Sequence, residues 1–195
     1  MKLDIRRLTP DMLDDYLHFF LDIAFTDHPE WSGCCCVHFH WNEKYEAEFH
    51  SGEKSGTDWA VEMVKGGIIQ GYLAYMNGQV VGWCNANDKH NYDVLKVRSE
   101  LWDESDKTNR VKSIVCFLVA PDMRGKGIAT KLLERVCEDA EAEGYNYIEG
   151  YPPAGECDMY TAHHGTIPFF EKHGFQLYKT LGQDVMMRKP LGENL

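Results

Sequence analysis

Positive charge is in short supply in this chain: 20 Lys and Arg stand against 31 Asp and Glu, a net charge of −11. No run of adjacent basic residues is longer than a pair. A nucleic-acid backbone is bound by clustered cations that displace counterions. A polyanionic partner is therefore disfavoured, and a cationic or amine-bearing one is favoured. Solubility alone accounts for the same charge. Long apolar runs are missing too. No stretch reaches the ~18 residues of a spanning helix. The opening "MKLDIRRLTPDM" carries charge where a secretion signal needs an apolar core. The chain reads as cytoplasmic, with no membrane partner. Internal repeats, low-complexity tracts and Pro/Ser-rich linkers are absent as well. The 195 residues therefore read as one domain, 1–195.

Cysteine, by contrast, is plentiful. Cys34, Cys35, Cys36, Cys84, Cys116, Cys137 and Cys157 make an odd number. With no export signal, reduced thiols are expected. Cys116 and Cys137 fall in apolar patterns, where a thiol behaves as a small hydrophobe.

The periodicities predict an α/β domain. "LDIRRLT" reads as a strand, and Pro10 opens a helix through "DMLDDYLHFFLDIAF". Residues 27–56 give no clear pattern. "TDWAVEMVKGG" predicts a helix ending at Gly66 and Gly67. Asn77-Gly78 between two apolar runs predicts a tight hairpin, because both central residues of its turn need positive φ. "NYDVLKVRSELW" reads as a short helix. "SIVCFLVA" is a continuous apolar run, expected to be a strand buried on both faces. In "GIATKLLERVCEDAEAEG", Ile128, Ala129, Leu132, Leu133, Val136, Cys137 and Ala140 form one helical face, stopped by Gly144. "YNYIEGYP" is a second buried strand, "TIPFFEKHGF" a short helix, and the end a strand pair connected at Gly182. The order gives a mixed α/β layered domain with a helix-linked pair of central strands.

The turn between the apolar strand and the long helix, "PDMRGKGIAT", asks for a ligand. Known nucleotide loops do not fit it. A P-loop needs Lys followed by Ser or Thr, yet Gly127 follows Lys126. The dinucleotide fingerprint needs a third glycine where Thr130 stands. A helix N-terminus still offers unpaired N–H groups and partial positive charge. Gly125 and Gly127 leave the backbone open, Arg124 and Lys126 add charge, and Thr130 adds a hydroxyl. A pyrophosphate suits such a seat. A glycine-containing connection without a ligand is the plainer alternative.

"VAPDMRGKGIATKLL" resembles the cofactor motif of the GNAT superfamily, the acyl-CoA-dependent N-acyltransferases. Its signature, Arg/Gln-x-x-Gly-x-Gly/Ala, is matched by Arg124, Gly127 and Ala129. "FFEKHGF", residues 169–175, resembles the family's second landmark, and the Asn77-Gly78 hairpin also suits it. The match spans about residues 70–190. The resemblance implies a mostly antiparallel mixed sheet with a central splayed parallel strand pair flanked by helices. It implies a cofactor core at about 110–180 and a variable acceptor-side segment at about 24–66. It further implies that acetyl-CoA is the co-substrate. Arg124, Gly125, Lys126, Gly127, Ile128, Ala129 and Thr130 would surround its pyrophosphate. Leu118 and Val119 would lie beside the pantetheine arm, with Phe170 in the cofactor set. An N–H near Leu118 would polarise the thioester carbonyl.

The implied reaction is direct transfer of an acetyl group to a primary amine of a small molecule. A protein N-terminus or lysine is an alternative acceptor, and a homodimer is a candidate assembly. The amine must lose a proton to attack, and the thiolate gains from an acid. The family often supplies that acid as Tyr where this chain has Phe170. A phenyl ring donates no proton, which motivates a non-catalytic acyl-CoA sensor as a rival. Tyr160 is the substitute acid, with Tyr151, His163, His164 and Cys157 nearby. Glu149 is the candidate base, or else a solvated strand-end residue. Glu156, Asp158 and the two histidines are further bases.

"WSGCCCVHFHW" invites a zinc reading. As a strand it would put Cys34, Cys36, His38 and His40 on one face. Ligands spread along ~20 Å of strand cannot meet one ion, so no metal is expected. The segment reads instead as a wall of the acceptor pocket, with Trp31, Phe39 and Trp41 as its apolar body.

Overall fold

The computed structural model describes residues 2–155 and 161–192. Among them, seven strands form one sheet: β1 (Leu3–Arg7), β2 (Gly71–Met76), β3 (Gln79–Asp88), β4 (Val111–Val119), β5 (Tyr147–Gly150), β6 (Gln176–Leu181) and β7 (Asp184–Pro190). Their spatial order is β1-β2-β3-β4-β5-β7-β6. β4 and β5 pair in parallel, and the other neighbours are antiparallel. The returning strand β7, not β6, lies against β5 and leaves β6 at the edge. Asn77 and Gly78 turn β2 into β3 with φ of 52° and 85°, as the hairpin signal requires.

The helices lie against this sheet. Pro10 opens a short turn before α1 (Leu13–His18), which continues as a π-helical turn over Phe19–Ile23. That bulge buries both Phe19 and Phe20. α2 (Glu43–Ser51) is capped by the side-chain Oδ1 of Asn42, and α3 (Gly56–Lys65) by a reciprocal box between Ser55 and Asp58. α4 (Asp93–Lys96) is a single turn. α5 (Ile128–Ala142) buries Ile128, Leu132, Leu133, Val136 and Ala140, the face its periodicity marks. α6 (Ile167–Lys172) ends the crossover toward β6.

Two features position the site. The β4–β5 ladder runs from Val111/Tyr147 only to Ile114/Gly150, so the strands part beyond that rung. The register of β4 on β3 also slips, Asn85 pairing with Cys116 and Ala86 with Ile114, which leaves Val115 as an extra residue. A β-bulge thus sits where the ladder to β5 ends.

The segment 31–41 forms neither strand nor helix. Short 3₁₀ turns at Pro29–Trp31 and His38–His40 flank the cysteines, so the alternation needed for a one-faced ligand set does not arise. Among the described residues no three His, Cys, Asp or Glu converge as metal ligands. Among them, no helix is long and apolar enough to cross a membrane.

Candidate active site

A cleft of about 670 Å³ opens where β4 leaves β5. One wall is β4 itself, through Cys116, Phe117, Leu118 and Val119; the other comes from the acceptor-side segment, through Phe25, Glu30, Trp31 and Cys34. Arg124 and Ala129 close one end and Ala162 and His163 another part. Trp31 and Cys34 therefore wall the cleft as the sequence suggests. Phe39 packs instead against Tyr92 and His164, and Trp41 against Trp59 and Phe49.

The turn before α5 has the properties of an anion seat. Gly125 and Gly127 adopt φ of 75° and 77°, and a Cβ on either would meet nothing within 4 Å. Left-handed backbone explains glycine here, and the open space explains how a ligand can reach the amides. Gly127 caps α5 without a side-chain hydrogen bond, and the first helical turn holds no acidic residue. The N–H groups of that turn are thus available to a phosphate. Ile128 is buried against Gly82, so only its backbone can serve a ligand.

Arg124 is already engaged. Its guanidinium pairs with both Asp27 oxygens, and its Nε donates to Val119 O at 3.3 Å. The hydrogen bond from the Arg124 guanidinium holds the Asp27 carboxyl below its ordinary value. The pair links the acceptor-side segment to the anion seat. Lys126 lies on the exposed side, its Nζ 3.3 Å from Met123 Sδ.

Two expectations are corrected. Phe170 is not a cleft residue: it is fully buried, between Phe117, Phe169 and Phe175. Its ring fills the space a side chain at position 150 would need, since a Cβ on Gly150 would lie 2.2 Å from Phe170 Cζ. Glu149 is neither solvated nor available as a direct base. It is fully buried, its Oε1 accepting from Arg188 Nε at 2.7 Å and its Oε2 lying 3.0 Å from Lys89 Nζ. Asp106 completes a buried quartet, 3.0 Å from Lys89 and 2.9 Å from Arg188. Two cations against two carboxylates leave no net buried charge. Such clusters resist loss of any one member. Tyr151 donates to Glu149 Oε2 at 2.9 Å and meets Ser113 Oγ at 2.8 Å. The quartet therefore braces the root of the splay. Sequence reading did not single out Lys89, Asp106 or Arg188, which are far apart in the chain and have no local pattern.

Tyr160, the expected acid, lies outside the described residues, as do Glu156, Cys157 and Asp158. His163 and His164 are described. Their rings lie 3.8 Å apart, and His164 Nδ1 is 3.0 Å from the carbonyl oxygen of the bulged Val115. A carbonyl only accepts, so Nδ1 carries the proton and Nε2 bears the lone pair. Burial lowers the His164 pKa, against the opposing pull of the Val115 carbonyl.

Fold and cleft together define the acyl-CoA transferase class: a mixed sheet parted at one parallel pair, with an uncapped glycine-preceded helix at the mouth of the gap. Comparison with known proteins agrees. The Acetyltransferase (GNAT) family model matches residues 4–175, and the chain belongs to that family. Acetyl-CoA is accordingly its co-substrate, and the open seat before α5 fits a pyrophosphate. Solved structures share the fold. A polyamine N-acetyltransferase of Drosophila melanogaster superposes with a TM-score of 0.59 at 14% identity, covering 97% of this chain and 100% of that one. The PaiA N-acetyltransferase of Thermoplasma acidophilum, in complex with coenzyme A, gives 0.56 at 16%, covering 97% and 99%. A chain of the NatC complex bound to Gag peptide and CoA gives 0.55 at 15%, covering 98% and 100%.

Proposed function

We propose that the protein acetylates a primary amine of a small cationic molecule. The observation that carries this is the cleft itself, which joins the anion seat to a wall of Trp31, Phe25 and Glu30. Aromatic faces and a carboxylate attract an alkylammonium, and the net charge of −11 favours its approach. The likeness to a polyamine N-acetyltransferase supports the same acceptor class.

In this reading the pyrophosphate sits on the backbone amides of residues 125–130. The pantetheine follows the unpaired edge of β4 past Leu118 and Val119. A β4 N–H near Leu118 polarises the thioester carbonyl as charge develops on its oxygen. His163, in the cleft wall, takes the amine proton, and His164 holds the pair in place through Val115. The amine nitrogen attacks the carbonyl carbon, the C–S bond breaks, and the thiolate leaves with a proton from Tyr160 or from water. Glu149 acts at a distance, by fixing Tyr151 and Ser113.

The test is thiol release from acetyl-CoA with a panel of amines. Sustained turnover with di- and polyamines is expected, and turnover only with a peptide N-terminus would overturn the acceptor class. His163→Gln should lower kcat by about 10²-fold or more. Tyr160→Phe should lower kcat with KM little changed.

A further inference from the structure

Three thiols gather at the cleft, and the reaction above uses none of them. Cys34 and Cys116 line it from opposite walls. Cys36 lies behind, 5% exposed, with its thiol in hydrogen-bond contact with that of Cys116. Backbone register agrees with this contact. Asn85 is the Cα partner of Cys116 across β3 and β4, and its Nδ2 donates to Cys36 Sγ at 3.3 Å. Cys36 also has a φ of 57°, a left-handed conformation that is strained for a side-chain-bearing residue. It is held there from both flanks, by Asn85 and by the Tyr16 hydroxyl, which donates to Cys35 O at 2.6 Å. The hydrogen bond from Cys116, helped by the Asn85 amide, holds the Cys36 thiol below its ordinary value. The same bond, with burial, pushes Cys116 up. Cys36 is thus the better resolving nucleophile, and Cys116 is the member of the pair whose residue lines the cleft. All the described cysteines are free thiols.

We propose that Cys36 and Cys116 are a redox site: a dithiol that exchanges with a small-molecule disulfide entering the cleft and closes into a disulfide between its two walls. Cys116 loses its proton and its sulfur displaces one thiolate from the incoming disulfide, forming a mixed disulfide. The Cys36 sulfur, also deprotonated, then attacks the Cys116 sulfur, and the second thiolate leaves. The two protein thiols are oxidised by two electrons, the small disulfide is reduced to two thiols, and the protein's two protons end on them. The new bond ties the acceptor-side wall to β4 beside Phe117 and Leu118, which shuts off acetyl transfer. That last consequence rests on the cofactor reading above; the bond itself does not.

The experiment incubates the full chain with oxidised glutathione, caps remaining thiols, and maps linked peptides by mass spectrometry while acetyl transfer is followed. A Cys36–Cys116 link is expected, with turnover falling in proportion to the linked fraction and returning on reduction. Cys34→Ser should keep the link, and Cys36→Ser should lose it and retain turnover in oxidant. Modification confined to Cys34, a link to Cys157 instead, or linked protein with full turnover would each overturn the proposal. If the reduced protein acetylates no amine, the functional reading fails while the peptide map still decides the thiol site.

Discussion

The two walls of the cleft are built by different means. The β4–α5 wall is local in origin. An apolar run makes the strand, two glycines at positive φ make the turn, and a 3.6-residue period makes the helix. The opposite wall, within 24–66, depends on residues about fifty positions away. Cys36 leans on Asn85, His40 on Asn91 and Tyr92, and Asn42 on Asp93. A side that binds one fixed cofactor can be specified by neighbours in sequence. A side that chooses an acceptor is moulded by tertiary contact, and its local pattern is accordingly mute.

The largest expected effect is on the locally built wall. Gly127→Glu places a carboxylate where the phosphate oxygens must sit and blocks the first amides of α5. Losing one or two charge-assisted hydrogen bonds costs about 3 kcal/mol or more, roughly a hundredfold in Kd. Nothing lies within 4 Å of a Cβ there, so the fold should survive apart from about 1–2 kcal/mol of left-handed strain. Calorimetric titration with acetyl-CoA checks it. Unchanged affinity in the folded variant would move the cofactor elsewhere.

A second test concerns the root of the gap. The motif "FFEKHGF" correctly marks a helix, but its residue types cannot say which way Phe170 points. That depends on Gly150, twenty positions earlier, whose missing side chain gives the ring its place. The burial of Glu149 is hidden from the sequence for a similar reason, because its partners Lys89 and Arg188, and the Asp106 that both also bind, come from three other parts of the chain. The single strands, the hairpin and α5 were legible because each is encoded within about twenty residues. The quartet, the Cys36–Cys116 contact and the Val115–His164 hydrogen bond were not. Phe170→Tyr should therefore not accelerate turnover. It pushes a hydroxyl toward the Gly150 backbone, combining overpacking with a buried unpaired donor, about 3 kcal/mol in all. Denaturant midpoints measure the loss; an unshifted midpoint with faster turnover would restore Phe170 to the site.

Acid should reach the tertiary-built wall first. His40 is buried, with Nδ1 3.2 Å from Asn91 O and Nε2 without a partner among the described residues. Burial pushes its pKa from an ordinary 6.5 down to about 4, against the opposing pull of the Asn91 carbonyl and Asp93, while Lys96 adds to the lowering. Above pH 6.5 the ring is neutral in both folded and unfolded chains and contributes nothing to pH dependence. Between 6.5 and 4 the unfolded chain takes up the proton and the folded one does not, so stability falls with pH. A gap of that size is worth about 3 kcal/mol. Urea midpoints between pH 7 and 4 should fall steeply in the native protein and less in His40→Leu. Equal slopes would assign the acid sensitivity to other groups.

The smallest effect tests whether the walls are as separate as their origins suggest. Asp27 of the acceptor side holds Arg124 at the mouth of the anion seat. Both side chains are partly exposed, 43% for Arg124 and 32% for Asp27, so the pair contributes no more than about 1 kcal/mol. Asp27→Asn removes the competing carboxylate and leaves the guanidinium to the pyrophosphate. Acetyl-CoA affinity should rise by about two- to fivefold at low salt, consistent with that ceiling, and the gain should shrink as salt screens the charge. A fall in affinity would carry the opposite lesson. Asp27 would then be holding Arg124 in its binding position, and the acceptor-side segment would be part of the cofactor site rather than a neighbour to it.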